Sequence, residues 1–100
     1  MYEFLHFAGN GGPVAATKRL VLTAHARTRM HSRRVKQEWI ERTVQEPDWT
    51  EPDPTDPAVE RRFRAIAEAG GRILRVPCVE TESTIRVKTV LFDKSARRMR

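Results

Sequence analysis

Residues 59–69 read Val59-Glu60-Arg61-Arg62-Phe63-Arg64-Ala65-Ile66-Ala67-Glu68-Ala69, and whether they form a helix or a strand decides the fold. Val59, Phe63, Ile66 and Ala67 fit a helical period, with Asp56 as cap and Pro57 in the first turn. Phe63, Ala65 and Ala67 also alternate with Arg62, Arg64 and Ile66, as they would in a strand. Intrinsic propensity favours the helix. From the residues alone both readings stand.

C-terminal to this stretch the pattern is plainer. Gly70-Gly71 is a hairpin turn signal. A strand is expected over residues 72–80, with Leu74, Val76 and Cys78 on one face and Arg75 on the other. Pro77 marks an interrupted or partly edge-like position, because it has no N–H to give a neighbouring strand. Residues 84–92 carry the clearest period-2 signal: Ile85, Val87, Thr89 and Leu91 alternate with Arg86 and Lys88. A basic tail, residues 93–100, closes the chain.

Toward the N-terminus, residues 46–57 are acidic and proline-rich, which predicts a stiff, extended loop anchored by Trp49. Before it, a helix over residues 36–45 presents Trp39, Ile40, Thr43 and Val44 as its buried face, and Pro47 stops it. A shorter helix begins after the N-cap Thr23 and runs to about residue 33. Residues 19–22 are a short strand or an extended lead-in. Residues 1–17 are rich in glycine and are expected to form a flexible arm. The domain proper is then a single α+β unit over residues 18–100.

Composition narrows the class. The chain has 100 residues, 39% hydrophobic and 32% charged, enough for one soluble domain. A formal net charge of +6 points to an acidic partner, most often nucleic acid. Cys78 is the single cysteine, which fits a reducing compartment, and no apolar run approaches the length of a membrane span. A cytoplasmic protein, monomeric or weakly self-associating, is the expectation.

The chemistry-bearing stretch is residues 25–33, His-Ala-Arg-Thr-Arg-Met-His-Ser-Arg. On a helix His25, Arg29 and Arg33 share one face. Two permanent cations in line with an imidazole suit contact with phosphate and proton transfer beside it. If the helices cover the sheet face bearing Phe63, Ala65, Leu74, Val76, Val87 and Leu91, then Arg62, Arg64, Arg75, Arg86 and Lys88 project from the other face. A phosphate backbone would relieve their mutual repulsion. A solvated face with local ion pairs to Glu60, Glu80 and Glu82 is the plainer alternative. The acidic segment 46–57 is also a candidate cover for that basic face. No metal or cofactor site is expected: His25 and His31 do not share a helical face, and no Cys-x-x-Cys spacing exists. Cys78 continues an apolar alternation, and the serines show no triad logic.

The pieces His25-Ala26-x-x-Arg29-Met30-x-x-Arg33-x-Val35, Trp39-Ile40-Glu41, Pro47-Asp48-Trp49 and Glu51-Pro52-Asp53-Pro54 together resemble a small bacterial family of unknown function. The resemblance resumes at Arg61-Arg62-Phe63-Arg64-Ala65-Ile66, Arg72-Ile73-Leu74-Arg75-Val76 and Thr89-Val90-Leu91-Phe92-Asp93. That family is similar to the RelE/ParE/BrnT-like toxins of bacterial toxin–antitoxin pairs. The resemblance implies an α+β fold in which two N-terminal helices pack on one face of a three- to four-stranded antiparallel sheet. It therefore selects the strand reading for residues 60–68. The family usually has glycine after the second arginine of its signature, where this chain has Arg34. Either the first helix ends differently, or Arg34 accepts an unfavourable backbone.

The resemblance implies a toxin that binds RNA through the basic face, with a cognate antitoxin as its protein partner. As a metal-independent endoribonuclease it would use His25 as catalytic base or acid. Arg29, Arg33, Arg62, Arg64, Arg75, Arg86 and Lys88 would bind phosphate. The alternative is a non-catalytic module that binds nucleic acid or protein through the same cations.

Overall fold

The computed structural model describes residues 2–8 and 17–96, the first segment as backbone only. The elements in order are β1 (Tyr2–Ala8), β2 (Thr17–Leu22), α1 (Ala24–Ser32), α2 (Gln37–Gln45), β3 (Trp49–Pro52), β4 (Glu60–Ile66), β5 (Arg72–Glu80), β6 (Thr84–Val87) and β7 (Leu91–Phe92). The α+β class holds, with two helices on one face of a sheet. The sheet is larger than the expected three or four strands and is mixed, in the order β1-β2-β6-β5-β4-β3 with β7 also paired to β5. Among the described strands, β2 with β6 is the one parallel pairing, Leu20 lying opposite Ile85 and Leu22 opposite Val87. Of the arm expected over residues 1–17, Tyr2–Ala8 pairs antiparallel with β2. Met1 and residues 9–16 lie outside the described residues.

Thr23 caps α1 as its sequence position requires. Its hydroxyl accepts from the Ala26 N–H at 3.1 Å, and its own N–H donates to the Val87 carbonyl at 3.1 Å, tying the helix start to β6. At the other end the Arg34 N–H donates to the His31 carbonyl and the Val35 N–H to the Met30 carbonyl. This is a Schellman closure, with buried Met30 and Val35 as its apolar contact. It places Arg34 at φ 55°, in the left-handed region that glycine occupies most easily. The helix end is kept and the arginine carries the strain.

Helix α2 buries Trp39, Ile40, Thr43 and Val44, the face its spacing predicts. These residues pack on Leu20, Leu22, Ile66, Leu74, Val76, Cys78, Ile85 and Val87 of the sheet, with Ala26 and Met30 from α1.

Residues 60–66 are a strand, and Gly70 and Gly71, at φ 72° and 81°, complete the connection to β5. Which residues β4 turns toward the helices differs from expectation. Arg62 pairs with Val76 and Arg64 with Leu74, so both arginines share the helix-covered face. Phe63, paired with Arg75, and Ala65, paired with Ile73, lie on the open face. Phe63 is nonetheless buried, because Trp49 stacks on it with ring centroids 4.7 Å apart. Trp49 belongs to β3, a strand formed inside the segment expected to be all loop.

The strand expected over residues 84–92 is broken into β6 and β7. The break lies opposite Pro77, whose carbonyl accepts from Lys88 N–H at 2.9 Å and which has no N–H to offer. After the break the faces are exchanged: Leu91 pairs with Arg75 on the open side, and Phe92 pairs with Leu74 and meets Trp39.

Candidate functional site

The cations singled out in the sequence fall into three groups. The first is helical. His25, Arg29 and Arg33 are exposed, one residue before or three after the buried Ala26 and Met30, and Arg33 is the C-cap of α1. No side-chain hydrogen bond or ion pair holds any of the three among the described residues. Arg34 and Lys36 continue the exposed cationic surface past the helix end. Lys36 also lies over the Trp39 ring, 5.8 Å from its centroid.

The second group, Arg62 and Arg64, turns inward to the end of α2. Arg62 donates to the Val44 carbonyl at 2.8 Å, and Arg64 donates to the Glu46 carbonyl. Those carbonyls have no partner within the helix and mark the negative end of its dipole, so a guanidinium there stabilises the fold. Arg62 is buried, and it also pairs with Glu60 at 2.8 Å and with Glu80, which Lys18 shares. Hydrogen bonds from Lys18 and Arg62 hold the Glu80 carboxyl below its usual range. The expected outward projection of Arg62 and Arg64 is thus corrected. Their aliphatic stems lie along the core, and their charged ends reach carbonyls and carboxylates.

Arg75, Arg86 and Lys88 form the third group. They lie on the open face, on the opposite side of the sheet from α1. Arg75 pairs with Asp93 at 2.8 Å. Burial alone would raise the Asp93 carboxyl, but the Ser95 hydroxyl, the N–H groups of Ser95 and Ala96, and Arg75 bring it below its ordinary value of 3.8. Arg61, also on this face, pairs with Asp53 at 3.3 Å. Arg86 and Lys88 are exposed. Each borders a shallow depression, of about 270 Å³ beside Val21, Val79 and Arg86 and about 340 Å³ beside Arg75, Lys88 and Thr89. In the acidic segment Glu51 accepts from the Trp49 indole, Asp56 from the Ala58 N–H and Asp48 from the Ala65 N–H, so those carboxylates shape local backbone and β3. Asp53 pairs with a cation of the open face, Arg61.

His25 therefore does not converge with the sheet arginines. Spacing along the sequence missed Arg34 and Lys36 as part of the helical group, although a signal was present. No Asp or Glu occurs between Glu3 and Glu38. Residues 1–37 hold seven of the 19 Lys and Arg and one of the 13 Asp and Glu, whereas residues 38–100 hold twelve of each. The whole formal charge of +6 lies in the first 37 residues.

Among the described residues no group of three His, Cys, Asp or Glu is placed to hold a metal ion. Burial pushes the Cys78 thiol up to about 11, so at neutral pH it is neither thiolate nor nucleophile. No described helix is long and apolar enough to cross a membrane. A family model described as "Domain of unknown function (DUF4258)" matches residues 22–92, from the last residue of β2 to the last of β7. No curated protein and no solved structure matches the chain.

Proposed function

The chain belongs to the DUF4258 family, a domain of unknown function, and from its own residues we propose that it is a toxin-type, nucleic-acid-binding domain that grips phosphate through α1 and the turn after it. One observation carries this reading: the net charge is confined to residues 1–37, and the exposed side chains of Arg29, Arg33 and Arg34 have no carboxylate partner among the described residues. In residues 38–100 four of the arginines meet carboxylates, in Arg42–Glu68, Arg61–Asp53, Arg62–Glu60 and Arg75–Asp93, which leaves Arg86 and Lys88 as the exposed cations of the open face. A surface already neutralised by its own acids gains little from a phosphate backbone. An unpaired row gains attraction and counterion release. This moves the proposed contact from the sheet face to the helix.

The RelE-like relationship, RNA as the nucleic acid, a cytoplasmic site of action and a cognate antitoxin come from the sequence resemblance and form part of the same proposal. An antitoxin with an acidic segment would compete with nucleic acid for α1. The test is binding measured against salt. Arg29→Ala with Arg33→Ala should lower the slope of log affinity against log salt by about two, since each lost phosphate contact removes about one. The pair Arg86→Ala with Lys88→Ala should leave it nearly unchanged. The reverse result would return the contact to the sheet.

Cleavage is the second reading, favoured by an exposed imidazole four residues before Arg29 on one helix face. Attack by a ribose 2′-hydroxyl needs a base to take its proton and cations beside the phosphate. Induced expression with RNA integrity followed, wild type against His25→Ala, decides it. Intact RNA with the variant and fragments with the wild type would support the role; equal fragmentation would remove His25 from it.

A further inference from the structure

A cavity of about 300 Å³ lies where β5 leaves the Gly70-Gly71 turn, walled by Gly71, Arg72, Ile73, Phe92, Lys94 and Ala96. That is the small end of ligand pockets, with room for a flat heterocycle but not for an element of secondary structure. At Gly71 the wall is bare backbone, with open space where a side chain would stand. The Arg72 guanidinium lies over the Phe92 ring, its Cζ 4.0 Å from the centroid. Its Nε donates to the Ala69 carbonyl at 3.1 Å, which fixes the plane. Arg72 and Lys94 are exposed, and neither has a carboxylate partner among the described residues. The acid that borders the cavity, Asp93, is engaged by Arg75, Ser95 and Ala96. The cavity thus combines an aromatic ring, a guanidinium plane and a lysine. A nucleotide carries the two matching parts, a flat base for the plane and a phosphate for the ammonium.

Two aromatic rings join this cavity to the cations of α1. Lys36, which continues the cationic surface past α1, lies over the Trp39 ring. Trp39 meets Phe92 edge-on, with centroids 6.3 Å apart, and Phe92 carries Arg72. Phe92 pairs with Leu74 and Arg72 with Ile66, so both belong to the helix-covered side of the sheet. A strand that leaves the cationic row at Lys36 therefore reaches the cavity without crossing the sheet. We propose that the cavity is a nucleobase subsite, in which single-stranded RNA gripped by α1 turns one unstacked base onto the Arg72 guanidinium and sets its phosphate beside Lys94. This rests on the reading of α1 as the phosphate grip and names the form of RNA it takes. In a duplex every base is paired and stacked, so none is available to the cavity, whereas a single strand can splay one out. Stacking tolerates any base, because each has a π-face. Arginine suits the position better than lysine, because only the guanidinium is planar.

The experiment measures fluorescence anisotropy of a short single-stranded RNA of mixed sequence, and of its duplex, over a range of salt. Arg72→Lys keeps the charge and loses the plane. It should weaken binding of the single strand by about tenfold, the worth of one base stack, without changing the salt slope. On the duplex the same substitution should change little. A thermal melt confirms that the variant is folded. In a second measurement 2-aminopurine replaces one base at a time in the single strand. Its fluorescence should be quenched at one position on binding to the wild type, and the quenching should be lost with Arg72→Lys. No loss of single-strand affinity, an equal loss on the duplex, or quenching at no position overturns the subsite. The grip then stands or falls on its own sign, the lower salt slope of Arg29→Ala with Arg33→Ala. A wild type that binds neither RNA removes the grip and the subsite together.

Discussion

Helix α1 and strand β4 both read as rows of arginine, and the fold uses them in opposite ways. In β4, Arg62 and Arg64 lie between the sheet and the end of α2, where they meet carbonyls and, for Arg62, two carboxylates. In α1, Arg29 and Arg33 extend from a helix that gives only Ala26 and Met30 to the core. The difference comes from what each backbone passes. A guanidinium near a helix C-terminus finds acceptors that need a donor. A guanidinium on the outer side of a helix, with no acid within reach, finds water. Arginine content alone therefore does not locate a binding surface; the acceptors around each arginine do.

The sharpest way to break this contrast is Arg62→Met, which keeps the stem and removes the charge. Losing donors to Val44, Glu60 and Glu80 should lower unfolding free energy by about 3 kcal/mol, toward the low end for buried pairs because both carboxylates are partly solvated. Urea unfolding measures it, and a loss near zero would put Arg62 in the same class as Arg29.

Next is Asp93→Asn, which leaves the acceptor for Ser95 and Ala96 but weakens the pairing with Arg75. The expected cost is about 1–2 kcal/mol at neutral pH. Because the folded carboxyl lies below its ordinary value, its contribution is present above the unfolded pKa and is lost as pH falls through the folded one. Unfolding midpoints followed from neutral pH to well below the ordinary value of 3.8 should converge for wild type and variant as acid is added. Parallel curves would deny the linkage.

Arg34→Gly acts in the other direction. Removing a side chain from φ 55° should raise stability by about 1 kcal/mol, offset in part by the freer unfolded chain. A rise in melting temperature checks it, and a fall would mean that the Arg34 side chain makes a contact worth more than the strain.

The smallest expected effect is on stability in Arg29→Ala with Arg33→Ala, within about 0.5 kcal/mol. A larger loss would show that α1 needs these side chains to fold, erasing its difference from β4.

Much of the frame is legible along the chain. Thr23 as cap, the buried face of α2 and the hairpin at Gly70-Gly71 each follow from a local rule, and each stands; β5 runs unbroken through Pro77, and the interruption falls in its neighbour. Local rules fail at β4 because both of its faces are covered. Phe63 is enclosed by Trp49 from a strand hidden in a proline-rich stretch, while Ile66, in step with Arg62 and Arg64, packs under the helices. Alternation cannot say which side is inside when there is apolar cover on both. Ile66 was the available signal, outweighed by two arginines whose long stems are themselves core material. The site divides in the same way. His25, Arg29 and Arg33 share a helix face as spacing requires, and Arg75 and Arg86 reach the open face. Their separation on opposite sides of the sheet depends on where α1 docks.

The sequence by itself determined the helices, the Thr23 cap, the hairpin and the position of the net charge, because these depend on neighbours within a few residues or on composition alone. Only the tertiary structure decided the strand order, the parallel pairing of β2 with β6, the face each β4 side chain takes and which arginines remain unpaired. Those depend on contacts between residues far apart in the chain, where a carbonyl at the end of one helix or an indole from an edge strand settles what a local pattern leaves open.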